Sequence, residues 1–215
     1  FPIKVNQKRE VVDELVTTGR ERGMGLEAGS KAELAVALSH RLHPDALVIC
    51  NGYKDAADVR MALRGAELGK RVFLIVEKPQ EIELILRVAK ELGVQPLIGM
   101  RIRLHARGSG KWEKSGGEAA KFGLTTQELL NAVEELKRAD ALSSFRLLHF
   151  HVGSQIPEIK RIKNGVKEGA RVYAKLRAAG APLEVLDVGG GLGVDYDGSK
   201  TSYEASMNYT LQEYA

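Results

Sequence analysis

The sequence is poor in residues that announce a specialised chain: its 215 residues hold one cysteine, one tryptophan and six prolines. The lone Cys50 excludes an internal disulfide and favours a reducing, cytoplasmic setting. No apolar run approaches the roughly 20 residues that a membrane-spanning helix needs, and stretches such as Val72–Val76 end far too soon. Charge of one sign is also lacking. Lys and Arg number 32 against 28 Asp and Glu, a net charge of +4. Segments such as Lys8–Glu14 and Glu134–Asp140 alternate sign, as solvated helix faces do. That pattern argues against nucleic-acid binding. Metal ligands at structural spacing are missing too. Asp195–Gly198 lacks the other ligands of a calcium loop and reads as a turn. Gly153 and Ser154 lack the strand–turn–helix context of a nucleophile elbow. The chain opens on Phe1, already inside a strand-like segment, so it reads as incomplete at both ends, and the absence of a leader carries no information.

What is present is a regular alternation. Short β-branched runs at Phe1–Val5, Met24–Ala28, Ala46–Asn51, Arg71–Glu77, Pro96–Leu104, Leu147–Gly153 and Val185–Gly189 are strand candidates. Amphipathic stretches at Arg9–Arg22, Lys31–Leu42, Ala56–Leu68, Gln80–Leu92, Thr126–Ala139 and Ile159–Ala179 separate them. Gly23, Gly69, Gly93 and Gly180 stop helices. Strict β–α alternation means a parallel sheet with helical crossovers. Both an open doubly wound sheet and an α/β barrel of the TIM (β/α)8 type, with about seven of its eight strands, satisfy it. The barrel is favoured, with residues 1–215 as one domain. Lys4, Glu27, Asn51, Arg101, His151 and Gly189–Gly191 all fall near the carboxyl ends of different strands, and a barrel brings those ends to one mouth. The connection His105–Gly123 is too long for an ordinary βα loop and reads as an active-site loop or an insertion.

Three segments could carry chemistry. Alternation places Pro2, Lys4 and Asn6 on one strand face and Ile3 and Val5 on the other. A lysine there either snorkels to water or, facing a barrel interior, forms a Schiff base with an aldehyde cofactor. His149 and His151 share a face; His149 reads as a core histidine, while His151 at the strand end can stack on a planar ligand. Ser154 follows with a hydroxyl for a phosphate. The run Leu186–Asp195 is a glycine-rich turn after a strand, able to bring backbone N–H groups to an anion. Val194 breaks the dinucleotide fingerprint and no Gly-Lys-Ser/Thr follows, so neither a Rossmann site nor a P-loop is indicated. A turn with no ligand remains the alternative.

Together these pieces resemble the alanine-racemase-like barrels that bind pyridoxal phosphate, specifically the basic amino acid decarboxylases. Phe1–Asn6 matches their Tyr/Phe-x-x-Lys-x-Asn pattern, Phe150–Ser154 their Phe-His-x-Gly-Ser, and Asp187–Gly191 their Asp-x-Gly-Gly-Gly, in the same order. Gly25–Lys31, Cys50–Asp55, Gly108–Trp112, Lys121–Leu124 and Gly189–Ser199 extend the likeness, most closely to members that act on L-arginine. The resemblance implies that Lys4 holds pyridoxal 5'-phosphate and His151 stacks on its ring. It implies that Ser154, Gly189, Gly190 and Gly191 bind the phosphate, with Glu27 and Arg101 as charge partners. Asp187, Gly191, Leu192 and Gly193 are the implied substrate contacts. The implied reaction converts arginine to agmatine and carbon dioxide, opening polyamine biosynthesis, in a homo-oligomer. Magnesium accompanies the family, yet no ligand set for it is visible. The family's eighth strand and C-terminal β-domain supply further catalytic groups, so this segment alone is expected to be inactive. Decarboxylases of ornithine, lysine or diaminopimelate, and a noncatalytic pyridoxal-phosphate barrel, are the alternatives.

Overall fold

A computed structural model describes residues 1–104 and 122–215; the expectation for the long connection, Gly108–Trp112 included, falls outside the described residues. Among the described residues there are six strands: β1 (Leu26–Ala28), β2 (Leu47–Cys50), β3 (Arg71–Val76), β4 (Leu97–Arg101), β5 (Phe145–His149) and β6 (Val185–Asp187). Helices α1 (Arg9–Gly19), α2 (Lys31–Ser39), α3 (Ala56–Glu67), α4 (Glu81–Leu92), α5 (Thr126–Arg138) and α6 (Ile159–Ala178) alternate with them, and a single turn, α7 (Leu211–Tyr214), ends the chain. Strand neighbours follow chain order from β1 to β6, and the β1–β2, β2–β3 and β5–β6 pairings are parallel. A doubly wound sheet reverses its strand order at a switch point. An unreversed parallel run with helical crossovers belongs to a barrel. The fold is part of an α/β barrel.

The chain divides into two compact units, Phe1–Gly99 with Glu134–Arg146, and Met100–Val133 with Leu147–Ala215. In the first unit β3 is buried from Val72 to Val76, as befits a parallel strand covered on both faces. Helix α4 buries Ile82, Ile85, Val88 and Ala89 at helical spacing. A capping box between Asp55 and Asp58 starts α3, and the Ser30 hydroxyl caps α2 by accepting from Glu33 N–H. Cys50 closes β2 inside the core, and burial pushes its thiol up to about 11.

In the second unit, helix α6 lies directly on Phe150, the residue before His151. A methyl group added at Gly169 of α6 would stand 2.1 Å from Phe150 Cε1. That close approach requires glycine. Among the described residues, no helix is long and apolar enough to cross a membrane.

One expected strand is absent. Phe1–Val5 does not extend alongside β1 but forms a single bridge, Pro2 to Glu27, and then closes into a 3-10 turn at Ile3–Val5. Val5 N–H donates to Pro2 O and Asn6 N–H to Ile3 O, both at 3.1 Å. These local bonds replace a ladder. The strand alternation is lost with it: Ile3 is 2% exposed, Val5 67%, and Lys4 is exposed rather than turned inward from a strand.

Candidate active site

The first unit carries Lys4, Glu27 and Asn51. Lys4 rides on the 3-10 turn, two residues after the bridge that joins Pro2 to Glu27. Glu27, half-buried in β1, takes a hydrogen bond on Oε1 from Asn51 Nδ2 at 3.0 Å. Asn51 follows β2 directly, and its N–H donates to Ala28 O at 2.8 Å. Its Oδ1 is buried and has no hydrogen-bond partner among the described residues. The next strand contributes Glu77, buried at the end of β3, whose Oε1 accepts from Gly52 N–H at 2.9 Å. Sequence reasoning missed Glu77, although a charged residue ending an otherwise apolar run was a usable signal.

The second unit carries the remaining expected residues. Arg101 ends β4, with its guanidinium over the Phe122 ring at 5.5 Å. His149 is buried, as expected of a core histidine, with Nδ1 2.9 Å from Asp187 Oδ2, a close approach that lacks the angles of a hydrogen bond. Asp187 Oδ1 accepts from Gly189 N–H at 2.8 Å. Burial pushes the Asp187 carboxyl up, but His149, the Gly189 N–H and the nearby His151 outweigh it and hold the group below its ordinary value.

His151 is half-buried, and its Nδ1 accepts from Gly190 N–H at 3.4 Å. With Nδ1 as acceptor, a neutral ring carries its proton on Nε2. Gly191 sits at φ +103°, and a methyl group there would stand 1.8 Å from Gly153 O. Ile156 N–H donates to Gly191 O at 2.9 Å, and Gln155 exchanges two hydrogen bonds with the Val194 backbone. Gly193 N–H donates to the Tyr209 hydroxyl, which donates in turn to Ile156 O, both at 2.8 Å. The glycine turn is therefore stapled to the loop that bears Ser154. Of the glycines in the turn, Gly190 alone is exposed, with nothing within 4 Å of an added methyl group. Leu192 in the same turn and Ser154 on the stapled loop are exposed as well. Gln155 and Tyr209, neither anticipated, have no spacing that reveals them.

These features fit pyridoxal phosphate. In the second unit the turn offers open space over Gly190, a half-buried imidazole and an exposed hydroxyl; the first unit, taken by itself, offers the exposed primary amine of Lys4. Among the described residues, no group of three or more His, Cys, Asp and Glu is placed to hold a metal ion.

Residues 1–215 match the family described as pyridoxal-dependent decarboxylase, pyridoxal binding domain. The chain belongs to this family. Its pyridoxal-binding-domain relatives include the biosynthetic arginine decarboxylase of Deinococcus radiodurans, 58% identical over 215 residues, which are 100% of this chain and 32% of that protein. The crystal structure of the biosynthetic arginine decarboxylase from Campylobacter jejuni is similar at TM-score 0.86 and 40% identity, covering 100% of this chain and 34% of that one. A mutant of diaminopimelate decarboxylase from Helicobacter pylori, complexed with L-lysine, is similar at TM-score 0.80 and 26% identity, covering 100% and 50%. The pyridoxal-binding domain seen here thus spans about a third of the length of the curated relatives it matches.

Proposed function

We propose that the whole protein decarboxylates L-arginine to agmatine and carbon dioxide with pyridoxal phosphate, the first step from arginine toward polyamines. The observation that carries this reading is likeness without a break across the chain. Identity is 58% to an arginine decarboxylase against 26% to a diaminopimelate decarboxylase. A homo-oligomer in the cytoplasm belongs to the same reading.

In this reading Lys4 holds the cofactor through its amine, and the turn Gly189–Gly191 with Ser154 receives the phosphate. Pyridoxal phosphate, when bound, supplies a conjugated electron sink for the electron pair left by the departing carboxylate. The chain's own residues orient it. The His151 ring, steadied by Gly190 N–H, provides a flat surface that fixes the plane of the group it stacks on. Gly191 and Gly193, with Leu192, shape the wall offered to substrate. Asp187 acts behind them: one oxygen holds the turn at Gly189 and the other faces His149. Glu27, held by Asn51, presents a carboxylate on the strand that bridges the Lys4 turn. Arg101 is assigned as a second charge partner, its guanidinium oriented by Phe122.

The test is release of labelled carbon dioxide from carboxyl-labelled L-arginine by the whole protein with pyridoxal phosphate. Labelled ornithine, lysine and diaminopimelate run beside it. Arginine should be preferred, and Lys4→Ala should abolish release. Faster turnover of another substrate would reassign the specificity, and no turnover of any would favour a noncatalytic barrel.

A further inference from the structure

Lys54 and Glu81 are 1% and 2% exposed, the most deeply buried charged side chains among the described residues. Burial of an ion pair is costly, and apolar side chains of similar volume commonly serve stability as well or better. Its contacts show another use. Glu81 Oε1 accepts from Lys54 N–H at 3.0 Å and lies 3.2 Å from Lys54 Nζ. Glu81 Oε2 accepts from Glu77 N–H at 2.7 Å and Lys78 N–H at 3.2 Å. Lys54 Nζ also donates to Gly52 O and Ile75 O. One carboxylate and one ammonium thus hold the loop after β2 and the loop after β3 together, and Gly52 N–H closes the ring onto Glu77.

We propose that the Lys54–Glu81 pair consists of positioning residues, which set the Asn51 amide and through it the Glu27 carboxylate. The proposal rests on the decarboxylase reading above. Gly52, gripped by Lys54, has φ +79° and packs so closely on Gly29 that an added methyl group would be 2.7 Å from Gly29 O. Asn51 precedes it. Its amide reaches Glu27 through Nδ2 alone, because Oδ1 has no partner among the described residues to hold it if the backbone turns. Removing the ammonium leaves two buried carbonyls without their donor, and the loop that aims Asn51 loses its anchor.

The test compares Lys54→Met, the double variant Lys54→Met with Glu81→Met, and Asn51→Ala in the whole protein. Thermal midpoint, kcat and KM are read for each. The single Lys54 variant strands a buried carboxylate and should lose both stability and activity. The double variant removes the stranded charge but leaves the N–H groups of Lys54, Glu77 and Lys78 without their acceptor, so it should regain only part of the midpoint and keep a kcat about tenfold or more below the parent, because misplacement persists. If kcat returns with the midpoint, the pair is structural and the proposal is overturned. Should both buried variants fail to fold, Asn51→Ala decides: a lowered kcat at an unchanged midpoint supports the relay, and an unchanged kcat overturns it. A parent protein that releases no carbon dioxide defeats the activity reading alone. The relay is then read by the fraction of Lys4 fixed with pyridoxal phosphate and borohydride. An undiminished fraction in Asn51→Ala overturns the positioning.

Discussion

His149 and Asp187 are register partners on the adjacent parallel strands β5 and β6, and their side chains meet with Nδ1 2.9 Å from Oδ2. The same carboxylate holds Gly189 N–H. The pair therefore ties the inner part of the sheet to the turn that receives the phosphate in the proposed function.

Acid should expose this tie. The Asp187 carboxyl is held below its ordinary value in the folded chain, so its contribution is full above the unfolded value, about 4. It is lost as pH falls through the lower folded value. Urea unfolding from pH 7 down to pH 3 should show the parent losing stability faster than Asp187→Asn. Parallel curves would remove Asp187 from the account.

The two histidines should separate cleanly. His149→Ala takes one partner from the half-buried Asp187, which keeps Gly189 N–H, and empties a core position; it should cost about 1–3 kcal/mol of stability. His151→Ala should unfold like the parent but bind pyridoxal phosphate more weakly by about 0.5–1.5 kcal/mol, the worth of a stacked ring. Chemical denaturation and a cofactor titration read the two effects. A parent-like affinity in His151→Ala would make His151 a core residue only.

Adjacent glycines should differ as sharply. Gly191→Ala drives a methyl group into Gly153 O at a backbone angle disfavoured for alanine, and should cost about 3 kcal/mol or more. Gly190→Ala meets no protein atom; its thermal midpoint should hold while cofactor affinity drops, since the added methyl group occupies the open space over the turn. Equal midpoints for the two variants would contradict this geometry.

Borohydride reduction of the whole protein with pyridoxal phosphate, followed by peptide mapping, should place the label on Lys4. Label on Lys54 is not expected, since that amine is buried and engaged by Glu81 and two carbonyls. A label anywhere but Lys4 would sink the assignment.

The strands and helices were legible because their signals are local. The buried run Val72–Val76 and the spacing of Ile82, Ile85 and Ala89 survive folding almost to the residue. Phe1–Val5 misled because its β-branched content is also compatible with a turn, and Pro2 cannot donate to a ladder. Glycines 189–191 were legible as a turn that needs glycine, and His149 as core. The Lys54–Glu81 pair was not, since 27 residues separate its members and only parallel register brings them together. Tyr209 stayed hidden for the same reason: its partners Gly193 and Ile156 lie 16 and 53 residues away.

Cys50 has a practical consequence for anyone probing this protein with thiol reagents. It is the sole sulfhydryl of the chain, sealed in the core with its thiol at about 11, and at neutral pH it holds almost no thiolate to attack an alkylating agent. Iodoacetamide or a maleimide should therefore leave this domain unmodified while it stays folded. Inactivation by such a reagent reports a sulfur elsewhere in the whole protein, and slow labelling of Cys50 itself becomes a clock for unfolding.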